Sequence, residues 1–330
     1  MSQSTPRLRI AIDGMGGDHA PEQVVLGASR AAERGLDVTV VGQPERLGPL
    51  LEDHPHLRLV PASEVIGMEE HPAQAVRSKP DASLCVCARL CSRGEVDAWV
   101  SAGNSGAVMA AALLIQGRVR GVARPALGTV LPTRGRPTYF LDVGANVDCR
   151  PDFLVQFASM GSVYAERILG RPQPKVGLLS NGEEETKGDE RVREAHERLR
   201  RARLNFVGNL EPKDVLAGAA DVVVADGFLG NVAIKMAEAT AELLFSVLRE
   251  EIPRSVAGKL GGLLIRSQVG RIRRRLDWRE FGGAPLLGID GVVVVAHGRS
   301  DARAVENAVW VAAQAVEVNL VGKIREALTR

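Results

Sequence analysis

The sequence predicts a three-layer α/β/α protein on a largely parallel sheet. Short, almost uninterrupted apolar runs such as "LDVTVVG" and "GVVVVAHG" read as strands buried on both faces. Helical patterns separate them, and a glycine-rich polar turn follows most runs. No linker rich in Pro, Ser or Gly divides the 330 residues. The expectation is therefore a flexible N-terminal tail over 1–9 and a single large domain over 10–330. An apolar, basic helical arm is expected at 245–280.

The elements follow in order. "LRIAIDGMGG" is a strand that stops at Asp13, and "PEQVVLGASRAAERG" is a helix with Pro21 in its first turn and Gly35 past its end. "LDVTVVG" and "LRLVPAS" are strands, "ASLCVCARLCSRG" is helical, and "VDAWVSAGNSG" is a strand running into a loop before the helix "AVMAAALLI". The grammar then repeats. "TYFLDVGANVD" is a strand and loop, "RPDFLVQFASMGSVYAERIL" a helix, and "PKVGLLSNG" a strand. "DERVREAHERLRRA" is a charged helix with Asp189 as its N-cap. "LNFVGNLEP" and "ADVVVADGFLGN" are strands ending in loops, "VAIKMAEATAELLFSVLREEI" is a long helix, and 301–328 form one final helix.

Composition narrows the class. Hydrophobic residues make up 45% and charged residues 25%, as in soluble globular proteins, while only 4% are aromatic, so aliphatic side chains must fill the core. The net charge of +2 gives no global bias toward nucleic acid. Cys85, Cys87, Cys91 and Cys149 lack the spacing of a zinc site and read as buried thiols of a reducing compartment. No signal peptide or apolar run long enough to span a bilayer is visible.

The chemistry gathers just beyond the strands: Asp13, Gly16 and Gly17; Ser101, Asn104 and Ser105; Asn146; Asn181 and Lys187; Asn209; Asp226 and Asn231; and His297. Ligands of open α/β sheets bind outside the carboxyl ends of strands, where backbone N–H groups at helix starts attract anions. "SAGNSGAVMAA" is the clearest phosphate cradle by composition, although the same residues serve ordinary caps and turns. Lys187 lies between glycines after three glutamates. It is either half of a surface ion pair with Glu183 or Glu184 or a cation aimed at a bound anion. Lys235 lies near a helix start, where a cation is disfavoured; it pairs with Glu238 or reaches the same anion. Common motifs do not fit. There is no G-x-x-x-x-G-K-[ST], no G-x-G-x-x-G and no G-x-S-x-G.

Nine stretches together resemble the acyl-acyl-carrier-protein:phosphate acyltransferases: "AIDGMGGDHAPE" (11–22), "SAGNSGA" (101–107), "RPAL" (124–127), "LDVGAN" (141–146), "NGEEETKGDE" (181–190), "FVGNLE" (206–211), "DGFLGNVAIK" (226–235), "GGAPLLG" (282–288) and "HGRS" (297–300). They occur in order across almost the whole chain. The resemblance implies the fold of phosphate acetyltransferases and isopropylmalate dehydrogenases, no cofactor and no metal, and a homodimer in the cytoplasm. It implies transfer of a fatty acyl group from acyl carrier protein to inorganic phosphate, with the acyl phosphate passed to a membrane glycerol-3-phosphate acyltransferase.

For that reaction Ser101, Asn104 and Ser105 are assigned to phosphate, with Asp13, Gly16, Gly17, Asn146, Asn181, Asn209, Lys235 and His297 lining the substrate site. Lys187 and Asn231 are assigned to the developing negative charge, and Asp226 to orienting the lysine or accepting a proton. Asp13 has the alternative of anchoring its loop. Between Arg254 and Arg275 lie seven basic residues and no acidic one, interleaved with leucines, which suits an acidic carrier protein or the anionic inner face of the cell membrane. Nucleic acid is not an expected partner. A short-chain acyl-coenzyme A:phosphate acyltransferase, an NAD- and metal-dependent decarboxylating dehydrogenase and a non-catalytic membrane scaffold are the rival readings.

Overall fold

The computed structural model describes residues 7–329. The first half contains β1 (Arg9–Asp13), α1 (Glu22–Glu33), β2 (Asp37–Gly42), α2 (Pro44–Leu51), β3 (Arg58–Pro61), α3 (Pro72–Ser78), α4 (Ser83–Ser92), β4 (Ala98–Ser101) and α5 (Ser105–Ala111), which runs into a π turn at Ala112–Gln116. Then follow β5 (Ala126–Leu131), β6 (Thr138–Leu141), α6 (Pro151–Arg167), β7 (Lys175–Leu179), α7 (Glu190–Arg201), β8 (Asn205–Leu210), α8 (Pro212–Ala217), β9 (Val222–Val224) and α9 (Gly227–Glu251). The chain ends with α10 (Val256–Leu276), β10 (Ala284–Leu287), β11 (Val292–Val295), α11 (Ala302–Glu317) and α12 (Leu320–Leu328).

All eleven strands form one sheet in the order β3-β2-β1-β4-β11-β10-β5-β6-β9-β7-β8. Pairing is parallel from β3 to β11 and again from β6 to β8, and antiparallel only across β11–β10–β5–β6. The three-layer, largely parallel expectation holds. The three antiparallel steps reverse the chain sense, however, so the two parallel blocks run in opposite directions.

Alternation along the strands explains the layers. In the first block Ile10 and Ile12 pack with α1 and α11, while Ala11, Trp99 and Val293 face α4 and α5. In the second block Tyr139, Leu141, Val176 and Val222 pack against α6 and α7, while Phe140, Val223 and Leu210 meet α8 and the inner face of α9. Large aliphatic and aromatic side chains buried this fully each contribute about 1.5–3 kcal/mol. The outer face of α9 and most of α10 remain uncovered, with Met236, Leu243, Leu260, Leu263 and Leu264 more than half exposed.

Several sequence expectations need correction. Residues 1–6 of the expected tail lie outside the described residues, but Arg9 opens β1 and ion-pairs with Asp97 at 2.7 Å. The final helix is two helices, broken at Asn319, whose φ of +51° is left-handed. The segment 227–231 is the first turn of α9 instead of a loop. The expected arm is formed by the end of α9 together with α10. The short α2, α3 and α8 and the strands β5 and β10 are additional to the elements that the sequence predicts.

Candidate active site

The polar strand ends form two groups. In the first, the loops after β1, β4 and β11 meet. Asp13 is fully buried, accepting from Ser101 Oγ at 2.7 Å and from the Met15 N–H at 3.1 Å. Burial pushes its carboxyl above the ordinary range, and bonds from Ser83, Ser101, Met15 and Gly16 oppose that shift. Gly16 is buried beside Asp13 and Gly103. Gly17 adopts φ +106°, which glycine tolerates at little cost, and the next N–H, of Asp18, donates to the Gly298 carbonyl at 2.8 Å.

Two of the three residues assigned to phosphate are occupied internally. Besides donating to Asp13, Ser101 accepts from the Gly103 N–H at 3.1 Å. Asn104 caps α5 by accepting from Ala107, and its amide donates to the Met68 and Glu70 carbonyls at 3.0 Å each. Ser101 and Asn104 therefore shape the loop, whereas Ser105 stands exposed at the start of α5. The N-cap reading, an alternative for this loop from sequence alone, describes Asn104.

In the second group the loops after β6, β7 and β9 meet. Asp142 organises the first. Its Oδ1 accepts from Leu127, Gly144 and Ala145, and its Oδ2 accepts from both the backbone and the side chain of Asn146. Burial raises the Asp142 carboxyl, with these donors holding it back. Asn146 also donates to the Pro125 carbonyl at 2.7 Å and accepts from the Gly227 N–H at 2.7 Å. Asn231 donates to the Val143 carbonyl at 3.0 Å. Gly230 is packed on the Asp142 carbonyl so closely that a Cβ has no room, which seats α9 on the end of β6.

Asp226 caps α9, accepting from the Phe228 and Leu229 N–H groups at 3.0 and 2.9 Å. Its other oxygen lies 3.0 Å from the Arg191 guanidinium, which also reaches Asp189 at 2.9 Å. Among the described residues the cationic partner of Asp226 is Arg191, not Lys187. That arginine was hidden among the many charges of α7, and no local signal distinguishes it. Its bridge joins the lysine loop to the start of α9.

The loop 181–188 is held at both ends while its lysine stays open. Asn181 accepts from the Gly188 N–H at 2.9 Å, and Asn209 donates to the Glu184 carbonyl at 2.9 Å. The other side of Asn209 contacts His196 at 2.9 Å. Glu183 pairs with Lys213 and Glu185 with Arg200. Lys187 is exposed, forms no ion pair among the described residues, and lies with its stem over Gly182. The ion-pair reading for Lys187 is therefore not realised. Asp189 caps α7 as expected, accepting from Val192 at 2.8 Å. Glu183, Glu211 and Asp214 are close enough to hold a cation, but Lys213 already neutralises Glu183 and Glu211 at 3.1 and 2.8 Å.

Two connections join the groups. Ala145, in the loop after β6, packs against the core cluster that contains Ala107, Val108 and Ala111 of α5. Farther along α9, the exposed Lys235 lies within electrostatic reach of His297 and Glu238, and Glu242 lies 3.8 Å from Arg299. Burial, Arg299 and Lys235 push the His297 pKa down, against Asp18 and Glu242. Burial raises the pKa of Glu238. The polar strand ends thus fall into two groups bridged by α9. Under α9, a pocket of about 120 Å³ lined by Val130, Leu131, Leu216, Ile234 and Phe281 adjoins one of about 440 Å³ lined by Glu242, Phe245, Arg279 and Arg299. Glu238, Ala241 and Leu276 line both.

The chain resembles known proteins along its whole length. A family model described as "Fatty acid synthesis protein" matches residues 8–323. A phosphate acyltransferase of Synechococcus elongatus is 50% identical over 97% of this chain and 94% of its own. One of Desulfitobacterium hafniense is 49% identical over 98% of both chains. Among solved structures, a phosphotransacetylase of Streptococcus pyogenes superposes with a TM-score of 0.63 at 21% identity, covering 94% of each chain. The EutD phosphotransacetylase of Staphylococcus aureus gives 0.62 at 17%, also over 94% of each. These structures establish a shared fold. By the family match and the 49–50% identity to curated relatives over almost the whole chain, the chain belongs to the fatty acid synthesis protein family, that of the phosphate acyltransferases.

Proposed function

We propose that the chain transfers a long-chain fatty acyl group from acyl carrier protein to inorganic phosphate, releasing acyl phosphate for phospholipid synthesis. The observation that carries this reading is Lys187. Two of the three glutamates before it bind other cations, its loop is pinned by Asn181 and Asn209, and its ammonium has no carboxylate partner among the described residues. A cation kept open beside a helix N-terminus suits an anionic substrate and the oxyanion of acyl transfer.

In this mechanism a phosphate oxygen attacks the thioester carbon, the C–S bond breaks, and the carrier thiol leaves with the proton released by phosphate. Lys187 meets the negative charge and Ser105 contacts phosphate. Asp13, Ser101, Asn104, Asn146, Asn209, Asp226 and Asn231 hold the loops in place, so that little reorganisation accompanies the reaction. The nucleophile is phosphate itself, so no covalent enzyme intermediate is required.

The apolar side chains Val130, Leu131, Leu216, Ile234 and Phe281 under α9 support contact with an acyl chain. Leu263 and Leu264, 67% and 79% exposed among the bases of α10, support peripheral contact with an anionic membrane, where the product meets a glycerol-3-phosphate acyltransferase. No helix among the described residues is long and apolar enough to cross a membrane. Along α9, Leu229, Val232, Met236, Leu243 and Val247 are exposed at coiled-coil-like spacing and support a homodimer. The test is incubation with phosphate and palmitoyl carrier protein, followed by hydroxylamine trapping. Phosphate-dependent hydroxamate is expected, and its absence would sink the reading.

A further inference from the structure

A second charged feature lies on the outer side of the loop after β6. Arg118, Arg124 and Arg150 ring an open depression of about 710 Å³ whose remaining walls are Leu113, Ala123, Asp148 and Phe153. All three arginines are exposed. Arg118 donates to the Ala123 carbonyl, and Arg150 stacks 4.7 Å from the Phe153 ring centre. None has a carboxylate partner among the described residues, although Asp148 lines the same depression. Three of the five arginines of α7 behave differently: Arg191, Arg198 and Arg200 each reach an acid. Three guanidinium groups with no carboxylate partner among the described residues, around a concavity that holds one acid, leave a net positive field there.

The depression adjoins the active site. Asn146, two residues before Asp148, donates to the carbonyl of Pro125, which follows Arg124. The loop that brings Asp142 and Asn146 to the site therefore also holds one rim of the depression. We infer that this basin docks an acidic helical surface of the carrier protein that delivers the acyl thioester, its flexible arm passing over the β6 loop toward Lys187. The inference rests on the carrier-protein reading of the preceding section, and it assigns the carrier to this basin instead of to the basic arm. A concavity lined by Leu113 and Phe153 as well as by the arginines suits a protein helix carrying acids and one apolar contact better than a flat bilayer.

The test compares wild type with Arg124→Glu/Arg150→Glu, reading acyl phosphate formed from palmitoyl carrier protein and from palmitoyl-coenzyme A, which offers no carrier surface. Glutamate suits position 150 at the start of α6, and Arg124 is exposed before β5, so the reversal is compatible with folding. The neutral pair Arg124→Gln/Arg150→Gln gives a milder step for comparison. The reversal should raise KM for the carrier substrate about tenfold and flatten its salt dependence, leaving kcat and the coenzyme A substrate unchanged. An unchanged carrier KM with an active wild type would overturn the docking site alone. A carrier KM that rises in Arg271→Glu/Arg274→Glu, but not in the basin variant, would move docking to the arm and equally overturn it. Reduced binding of the basin variant to anionic vesicles, with the carrier KM intact, would assign the basin to lipid. If wild type forms no product with carrier protein at all, both the reaction and its docking site fall.

Discussion

The loops after β6 and β7 leave the same sheet two strands apart and use their polar residues in opposite ways. The first closes on itself. The carboxylate of Asp142 gathers backbone N–H groups from Leu127, Gly144, Ala145 and Asn146, and Asn146 then bonds outward to Pro125 and Gly227. The second is braced by Asn181 and Asn209 and by the ion pairs of Glu183 and Glu185, and it leaves Lys187 exposed with no ion pair among the described residues. An acid that satisfies five donors in a dry place has no capacity left for a substrate. A lysine that satisfies nothing retains all of its capacity. On the proposed mechanism, then, the buried acid is scaffold and the open cation is the residue that meets substrate.

The sharpest way to break this contrast is Asp142→Ala. It leaves buried N–H donors without an acceptor, each costing about 1–3 kcal/mol. The total expected is on the order of 4 kcal/mol, enough to unfold a marginal protein. Urea denaturation should show a large fall in midpoint, and a fall of less than about 1 kcal/mol would remove Asp142 from the scaffold role.

Lys187→Ala should do the reverse. The side chain is exposed and unpaired, so thermal stability should be unchanged, while kcat falls about 100-fold, the size of a lost oxyanion contact. Undiminished acyl phosphate formation with an unaltered circular dichroism spectrum would take Lys187 out of the mechanism. Asn209→Ala lies between the two. It removes the bond to the Glu184 carbonyl and the contact with His196. A loss of about 1–2 kcal/mol is expected, together with a smaller loss of kcat as the lysine loop loosens. A stability loss with full activity would show that the loop needs no brace from β8.

Asp189 shows what was legible in the sequence. A capping residue followed by a charged helix is a local signal, and the structure places the cap where the pattern does. Strand positions and the three layers were legible for the same reason: apolar runs are local. Asp226 shows the limit. "DGFLGN" reads as a glycine-rich loop, but Gly227 and Gly230 are inside α9 because they lie against Asn146 and Asp142, more than eighty residues earlier. Strand sense failed similarly. β5 and β10 carry little apolar periodicity, yet they turn one half of the sheet against the other. Ser101 and Asn104 read as polar strand-end residues, but composition does not tell a cradle for phosphate from a cradle for the chain's own backbone.

The seam between the two loop groups gives the smallest expected effect and the finest test of the contrast. His297 lies at the end of β11, with Arg299 and Lys235 disfavouring its charge and Asp18 and Glu242 favouring it. Burial and the two cations win, so its folded pKa is below the ordinary value of 6.5. A group depressed in this way contributes nothing unfavourable while both states are neutral. As the pH falls through the unfolded value, the unfolded chain takes up the proton first and stability declines. Wild type should therefore lose thermal stability between about pH 7 and pH 5.5 slightly more steeply than His297→Gln. Curves of equal slope would mean that the seam tolerates the imidazolium, and that α9 bridges the two groups without sensing charge at His297.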